Sequence, residues 1–185
     1  MIGGLILFHG AGGDRDHPTF LALEGGLSVP VARINFPYRQ KGPGRRPPDR
    51  MPKLIQSVNE AMSEWSATWG LEPSDIVVGG RSMGGRAASM ALADGMKAGG
   101  LLLLSYPLHP PGKPDKLRVD HFPAIDCPAL LIQGRRDPFG TPDEFAQQLP
   151  TLTGPLTERW LDANHSPAKF DDEIVATVAH WLTGL

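Results

Sequence analysis

The stretch Ile76-Val77-Val78-Gly79-Gly80-Arg81-Ser82-Met83-Gly84-Gly85-Arg86 decides how this sequence is read. It opens as a short apolar strand and passes through Gly-x-Ser-x-Gly. It then enters a run carrying Ala87, Ala88, Ala91 and Ala93, small residues that let a helix lie close on a sheet. A serine on so sharp a strand-to-helix turn is strained, and its hydroxyl projects into the open. The positions two before and two after it come too close to other backbone to carry side chains. With 22 glycines and nine serines in the chain, the bare pattern arises by chance in roughly one case in eight. Its meaning comes from the strand before it and the helix after it.

Outward from this turn, short apolar runs alternate with helical patterns. Strands are expected at Leu5–Phe8, Val31–Asn35, Ile76–Val78, Gly100–Leu104, Ala129–Gln133 and Glu158–Leu161. They read as near-continuous apolar runs, as strands buried on both faces of a parallel sheet do. A helix is expected from about Arg50 to Trp69. Met51, Leu54, Ile55, Val58, Met62, Trp65 and Trp69 fall on one face, Asp49 caps the start and Gly70 ends it. Another is expected to run to Leu182 with Ile174, Val175, Val178, Trp181 and Leu182 as its apolar stripe. The alternation predicts one α/β domain over residues 1–185, a three-layer α/β/α sandwich with a mostly parallel sheet of about six strands. Two proline-rich stretches, Phe36–Asp49 and Tyr106–Asp126, follow strands and so belong at the carboxyl edge, where such sheets bind ligands. Neither is long enough for a helical lid domain.

A lone serine hydroxyl is a weak nucleophile, so a base and an orienting acid are needed. Leu130-Leu131-Ile132-Gln133-Gly134-Arg135-Arg136-Asp137 is a strand running into a turn that bears an aspartate. Trp160-Leu161-Asp162-Ala163-Asn164-His165 is a strand running into a loop that bears a histidine. Both reach the same sheet edge as Ser82, in the order Ser, Asp, His. The expectation is Ser82 as nucleophile, His165 as general base and Asp137 as the acid that holds the imidazole. Asp162 competes for the last role, but three residues from His165 it reads as a turn residue. Acyl chemistry also needs an oxyanion hole. Leu5-Ile6-Leu7-Phe8-His9-Gly10-Ala11-Gly12-Gly13 ends in a Gly-rich loop whose N–H near Ala11 can join that of Met83, with His9 shaping the loop. Phosphate binding by this loop is disfavoured, because no Gly-x-Gly-x-x-Gly opens a helix and no Lys-Ser/Thr follows. Tyr38, Tyr106 and His109 lie in the two edge loops and are candidate pocket walls. Arg39, Lys41, Arg45 and Arg46 form a basic loop, read as a solvated surface rather than a carboxylate trap.

Composition narrows the classes. The formal net charge of −2 gives no reason to expect a nucleic-acid or membrane partner. No segment nears the roughly 18 apolar residues of a membrane span. The single Cys127 precludes an internal disulfide and reads as a small buried hydrophobe. The start offers no basic region before its apolar run, so a cytoplasmic protein is expected. The remaining histidines are scattered, so neither a metal nor another cofactor is expected.

The residues His9-Gly10-Ala11-Gly12, Gly80-Arg81-Ser82-Met83-Gly84-Gly85, Gly134–Asp137 and Asn164-His165-Ser166 together resemble the α/β-hydrolase superfamily, near its dienelactone-hydrolase-like branch. Leu104-Ser105-Tyr106-Pro107-Leu108-His109-Pro110-Pro111-Gly112-Lys113 resembles a small lidless group. That group's relatives include a testis-expressed protein and a regulatory subunit of a histone acetyltransferase complex. The resemblance covers nearly the whole chain. It implies a minimal version of the eight-stranded family sheet, lacking the first two strands, with order 2-1-3-4-5-6. Dienelactone hydrolases carry cysteine where this chain has Ser82, which removes the narrowest substrate inference. The expectation is a serine hydrolase acting on a small ester or acyl substrate through an acyl-enzyme. The alternative is an interaction module of the same fold with idle catalytic machinery.

Overall fold

The computed structural model describes residues 1–40 and 46–185. Lys41 and Arg45 of the basic loop lie outside the described residues. Six strands form the sheet: β1 (Gly4–Phe8), β2 (Val31–Ile34), β3 (Ile76–Arg81), β4 (Gly100–Leu104), β5 (Ala129–Gly134) and β6 (Leu156–Leu161). Among the described residues six α-helices accompany them: α1 (Pro18–Gly26), α2 (Pro37–Gln40), α3 (Met51–Trp69), α4 (Met83–Ala93), α5 (Pro142–Gln148) and α6 (Asp171–Thr183). The strand order is β2-β1-β3-β4-β5-β6, and every neighbouring pair is parallel rather than mostly so.

The sheet is covered on both faces because its strands alternate which side they bury against. Ile6, Phe8, Val78, Leu101, Leu103 and Leu131 face the core that contains Leu54, Val58 and Met62 of α3 and Ala87, Ala88 and Ala91 of α4. Leu5, Leu7, Val77, Leu102, Leu104, Leu130 and Ile132 face the opposite core, with Phe20 and Leu23 of α1 and Ile174, Val178 and Trp181 of α6. This gives the three layers expected from the alternation of elements.

One detail differs from the sequence expectation. Helix α3 starts at Met51, so Arg50 and not Asp49 occupies the N-cap, with extended backbone and no side-chain cap. Starting there puts Pro52 in the first turn, where its missing N–H leaves no bond unmade. Asp49 instead accepts a 3.0 Å hydrogen bond from Lys53 Nζ. Gly70 closes the helix in the left-handed region, at φ 65°, as a C-terminal glycine does. The segment 106–126 holds only one short 3₁₀ turn, Phe122–Ala124, and no lid domain is built from it.

Topology then positions the site. From β1 the chain goes outward to β2, then returns across to β3 on β1's other side. The crossovers to either side of β1 diverge, which opens a crevice at the carboxyl ends of β1 and β3. The Gly-rich loop leaves one and Ser82 leaves the other.

Candidate active site

Ser82 joins β3 to α4 with φ 52° and ψ −115°, a left-handed conformation that costs an L-residue about 1–3 kcal/mol. The surroundings hold it there. Ser82 N–H donates to the Leu104 carbonyl at 2.9 Å, and its own carbonyl accepts the first α4 bond from Arg86 at 3.0 Å. A Cβ at Gly80 or Gly84 would collide with the Phe8 carbonyl oxygen. The glycines two before and two after the serine are therefore required because β1 passes so close.

The loops that carry Asp137 and His165 are stitched together by backbone. Arg135 N–H donates to Leu161 O (2.8 Å) and Arg136 N–H to Ala163 O (2.9 Å), which lays the turn after β5 on the exit of β6. A Cβ at Gly134 would strike the Ala163 and Asn164 carbonyls, so only glycine permits this approach. His165 consequently stands between two partners. Its Nε2 lies 3.0 Å from Ser82 Oγ and its Nδ1 lies 2.7 Å from Asp137 Oδ2. An ionised carboxylate only accepts, which places the ring proton on Nδ1 and leaves Nε2 to accept from the serine hydroxyl.

Asp137 is 1% exposed. It also accepts Gln133 Nε2 at 2.7 Å and the Phe139 N–H at 2.9 Å, so its buried charge is met by donors on both oxygens. The Phe139 ring stacks on His165 with centroids 4.2 Å apart. Arg81 donates to the His165 carbonyl (2.8 Å) and to Ser166 Oγ (2.7 Å), anchoring the histidine loop to the end of β3. Sequence reasoning passed over Arg81, Gln133 and Phe139. Only their places beside motif residues, one before Ser82 and four before or two after Asp137, hinted at them. Asp162 pairs with Arg136 at the surface and does not touch His165.

The Gly-rich loop faces Ser82 across the crevice. His9 bonds the Gly10 carbonyl through Nδ1 (2.8 Å) and accepts the Phe36 N–H through Nε2 (3.2 Å). Burial holds its pKa below the usual histidine value, which suits this neutral bonding pattern. Ala11 O accepts from Tyr38 Oη at 2.9 Å, and burial pushes that phenol up to about 12. With both carbonyls tied back, Ala11 and Met83 line the same cavity as Ser82.

That cavity measures about 420 Å³ and is walled by Met51, Leu54, Arg86, Pro107, Arg118 and Phe139, with Asp49 at its margin. The three side chains expected as walls do not line it. Tyr38 supports the Ala11 carbonyl from behind. Tyr106, fully buried, donates to Arg118 O at 2.6 Å. His109 bonds the Pro110 carbonyl (2.9 Å), and its Nε2 lies 3.3 Å from Glu144. Each turns inward because an aromatic ring beside a strand end gains more by burial than by facing an open crevice. A larger hollow of about 640 Å³ lies elsewhere, between β6 and α6 near Trp181, and holds none of the candidate catalytic residues. Cys127 is half-buried, with burial pushing its thiol up to about 11. Among the described residues, no three His, Cys, Asp or Glu side chains gather as a metal site, and no helix is long and apolar enough to cross a membrane.

Solved structures share this architecture at low sequence identity. Est1E from Butyrivibrio proteoclasticus, solved with ferulic acid bound, superposes with a TM-score of 0.81 at 14% identity, over 98% of this chain and 88% of that one. A structure from the work on LipS and LipT, two metagenome-derived lipolytic enzymes, gives 0.80 at 16%, over 100% and 96%. The monoacylglycerol lipase of Paleococcus ferrophilus gives 0.78 at 17%, over 98% and 94%. The sequence model of the alpha/beta hydrolase domain family matches residues 3–176, and the chain belongs to that family.

Proposed function

We propose that this protein is a serine hydrolase that cleaves a carboxylic ester or a related acyl bond through an acyl-enzyme. The observation that carries this reading is the single imidazole of His165 bridging Ser82 Oγ and Asp137 Oδ2 at 3.0 and 2.7 Å. His165 Nε2 takes the hydroxyl proton as Ser82 Oγ attacks the carbonyl carbon. The N–H groups of Ala11 and Met83 receive the oxyanion of the tetrahedral intermediate. His165 then returns the proton to the leaving alcohol, and an acyl-serine remains. Water repeats the sequence in reverse roles and frees the acid. Asp137 keeps the Nδ1–H tautomer and stabilises the imidazolium without itself taking the proton. Every step uses a side chain or N–H of this chain. The esterase and lipase names of the structural neighbours support the reading. We place the chain near the dienelactone-hydrolase-like branch on its sequence resemblance alone, and the activity in the cytoplasm on small-molecule substrates.

The test is covalent labelling with a fluorophosphonate, together with turnover of short 4-nitrophenyl esters. The wild-type protein is expected to label and turn over, and Ser82→Ala to do neither while melting normally. A wild-type protein that resists the probe favours an interaction module with idle machinery. A mutant keeping more than a few per cent of wild-type turnover removes Ser82 from its role.

A further inference from the structure

The walls of the Ser82 cavity include two guanidinium groups that the reaction above does not use. Arg86 stands one turn into α4, on the helix that begins at the nucleophile. Arg118 comes from the long segment after β4, and its backbone is held on both sides. Its N–H donates to Leu108 O at 2.9 Å and its carbonyl accepts from Tyr106. Both line the cavity together with Ser82.

Charged side chains drawn partly out of water are commonly paired. These two are half-buried and unpaired. Arg86 Nε is buried without a hydrogen-bond partner. Among the described residues no carboxylate lies within 4.0 Å of either guanidinium. The one acid on the cavity, Asp49, gives Oδ1 to Lys53, while its Oδ2 is buried without a hydrogen-bond partner. Burial, and then repulsion from Arg86, hold the Arg118 guanidinium below its usual range. The same two causes push the neighbouring His121 down to about 4. Two guanidinium groups against one carboxylate leave the cavity lining with a net positive charge.

Resting on the hydrolase reading above, we infer that the ester taken by this cavity carries an oxyanion, a carboxylate or a phosphate, that seats on the guanidinium groups of Arg86 and Arg118. A guanidinium presents a planar fork of donors that fits either oxyanion. Met51, Leu54, Pro107 and Phe139 provide an apolar wall for the carbon chain between that anion and the ester. At about 420 Å³ the space falls toward the small end of ligand pockets, which span about 300–1,000 Å³.

The test uses Ser82→Ala protein, which keeps the cavity and turns nothing over. Calorimetry compares monomethyl adipate, butyl phosphate and the neutral dimethyl adipate. At least one anion is expected to bind about tenfold or more tightly than the neutral ester, and the tighter anion identifies the oxyanion. Arg86→Gln and Arg118→Gln are each expected to weaken that binding by about 10- to 100-fold, with Arg118→Lys recovering part of it. Melting curves distinguish a lost site from a lost fold. Should Arg86→Gln not fold, the loop variant Arg118→Gln carries the comparison. No preference for either anion, or anion binding that survives Arg118→Gln, overturns the proposal. In active protein, the ratio of kcat/KM for mono-4-nitrophenyl adipate to that for 4-nitrophenyl hexanoate is expected to fall at least tenfold with Arg118→Gln, and an unchanged ratio counts against the site. If neither ester is cleaved, the hydrolase reading fails while the calorimetry still decides the anion site.

Discussion

The turn after β5 and the loop after β6 each carry an aspartate near His165, one near it in space and the other in sequence. Asp137 is 28 residues away along the chain, and its carboxylate touches the imidazole at 2.7 Å. Asp162 is three residues away, and its side chain is 74% exposed beside Arg136. Asp137 is buried among donors, with His165, Gln133 and the Phe139 N–H all directed at it. Asp162 faces water and an exposed counter-charge, Arg136. A carboxylate orients an imidazole only if its own position is held, and burial with satisfied oxygens holds it. Contour distance along the chain is a poor guide to that.

Breaking the buried member should have the larger effect. Asp137→Asn offers the imidazole an amide in place of a charge and no longer enforces the Nδ1–H tautomer. Loss of the acid's charge in a comparable triad lowers kcat about 10⁴-fold. A fall of that order is expected here under saturating ester, with Ser82 and His165 still in place. Loss of only a few-fold would transfer the orienting role elsewhere.

Gln133 sharpens the comparison. It is buried at the end of β5 and gives one N–H to Asp137, with the Tyr106 carbonyl 3.3 Å from the same nitrogen. Gln133→Leu removes a donor to a buried charge, and such bonds carry about 1.5–3 kcal/mol. Turnover is expected to fall about 10- to 100-fold. The loss should fall on kcat and leave KM nearly unchanged, because Gln133 touches Asp137 and does not line the cavity. A purely structural role would lower the melting temperature and leave kcat of the folded protein near the wild-type value.

The smallest effect is expected at the surface. Asp162→Asn and Arg136→Ala each break a pair whose side chains are 74% and 65% exposed, and exposed pairs contribute about 0–1 kcal/mol. Turnover should change at most a few-fold, and the melting temperature by no more than about 4 °C. If Asp162→Asn proves the crippled enzyme and Asp137→Asn nearly normal, the two loops have exchanged roles.

Much of this arrangement was legible in the chain before any coordinates. The six strands announce themselves as short apolar runs, and each observed strand lies within two residues of the expected start. Gly80-Arg81-Ser82-Met83-Gly84 marks its own conformation, because only a sharp turn against another strand demands glycine at both flanks. Strand ends are equally legible, so Ser82, Asp137, His165 and the Ala11 loop could be assigned to one edge of the sheet from connectivity alone. These are local or topological properties, set by sterics and by the handedness of parallel crossovers.

Which way a side chain turns from that edge was decided only by the tertiary structure. Tyr38, Tyr106 and His109 stand in the expected loops, yet their rings pack inward, and Arg86 and Arg118 take the cavity instead. The start of α3 moved by one residue because Pro52 fits its first turn better than Asp49 fits its cap. Loop direction depends on what the neighbouring loops leave unfilled. The Arg118 backbone, for instance, is set by a tyrosine 12 positions earlier and a leucine ten positions earlier. Residue pattern specifies period, turn and strand end because those are written in adjacent residues. The shape and charge of the cavity are sums over segments distant in the chain, and they exist only once those segments have packed.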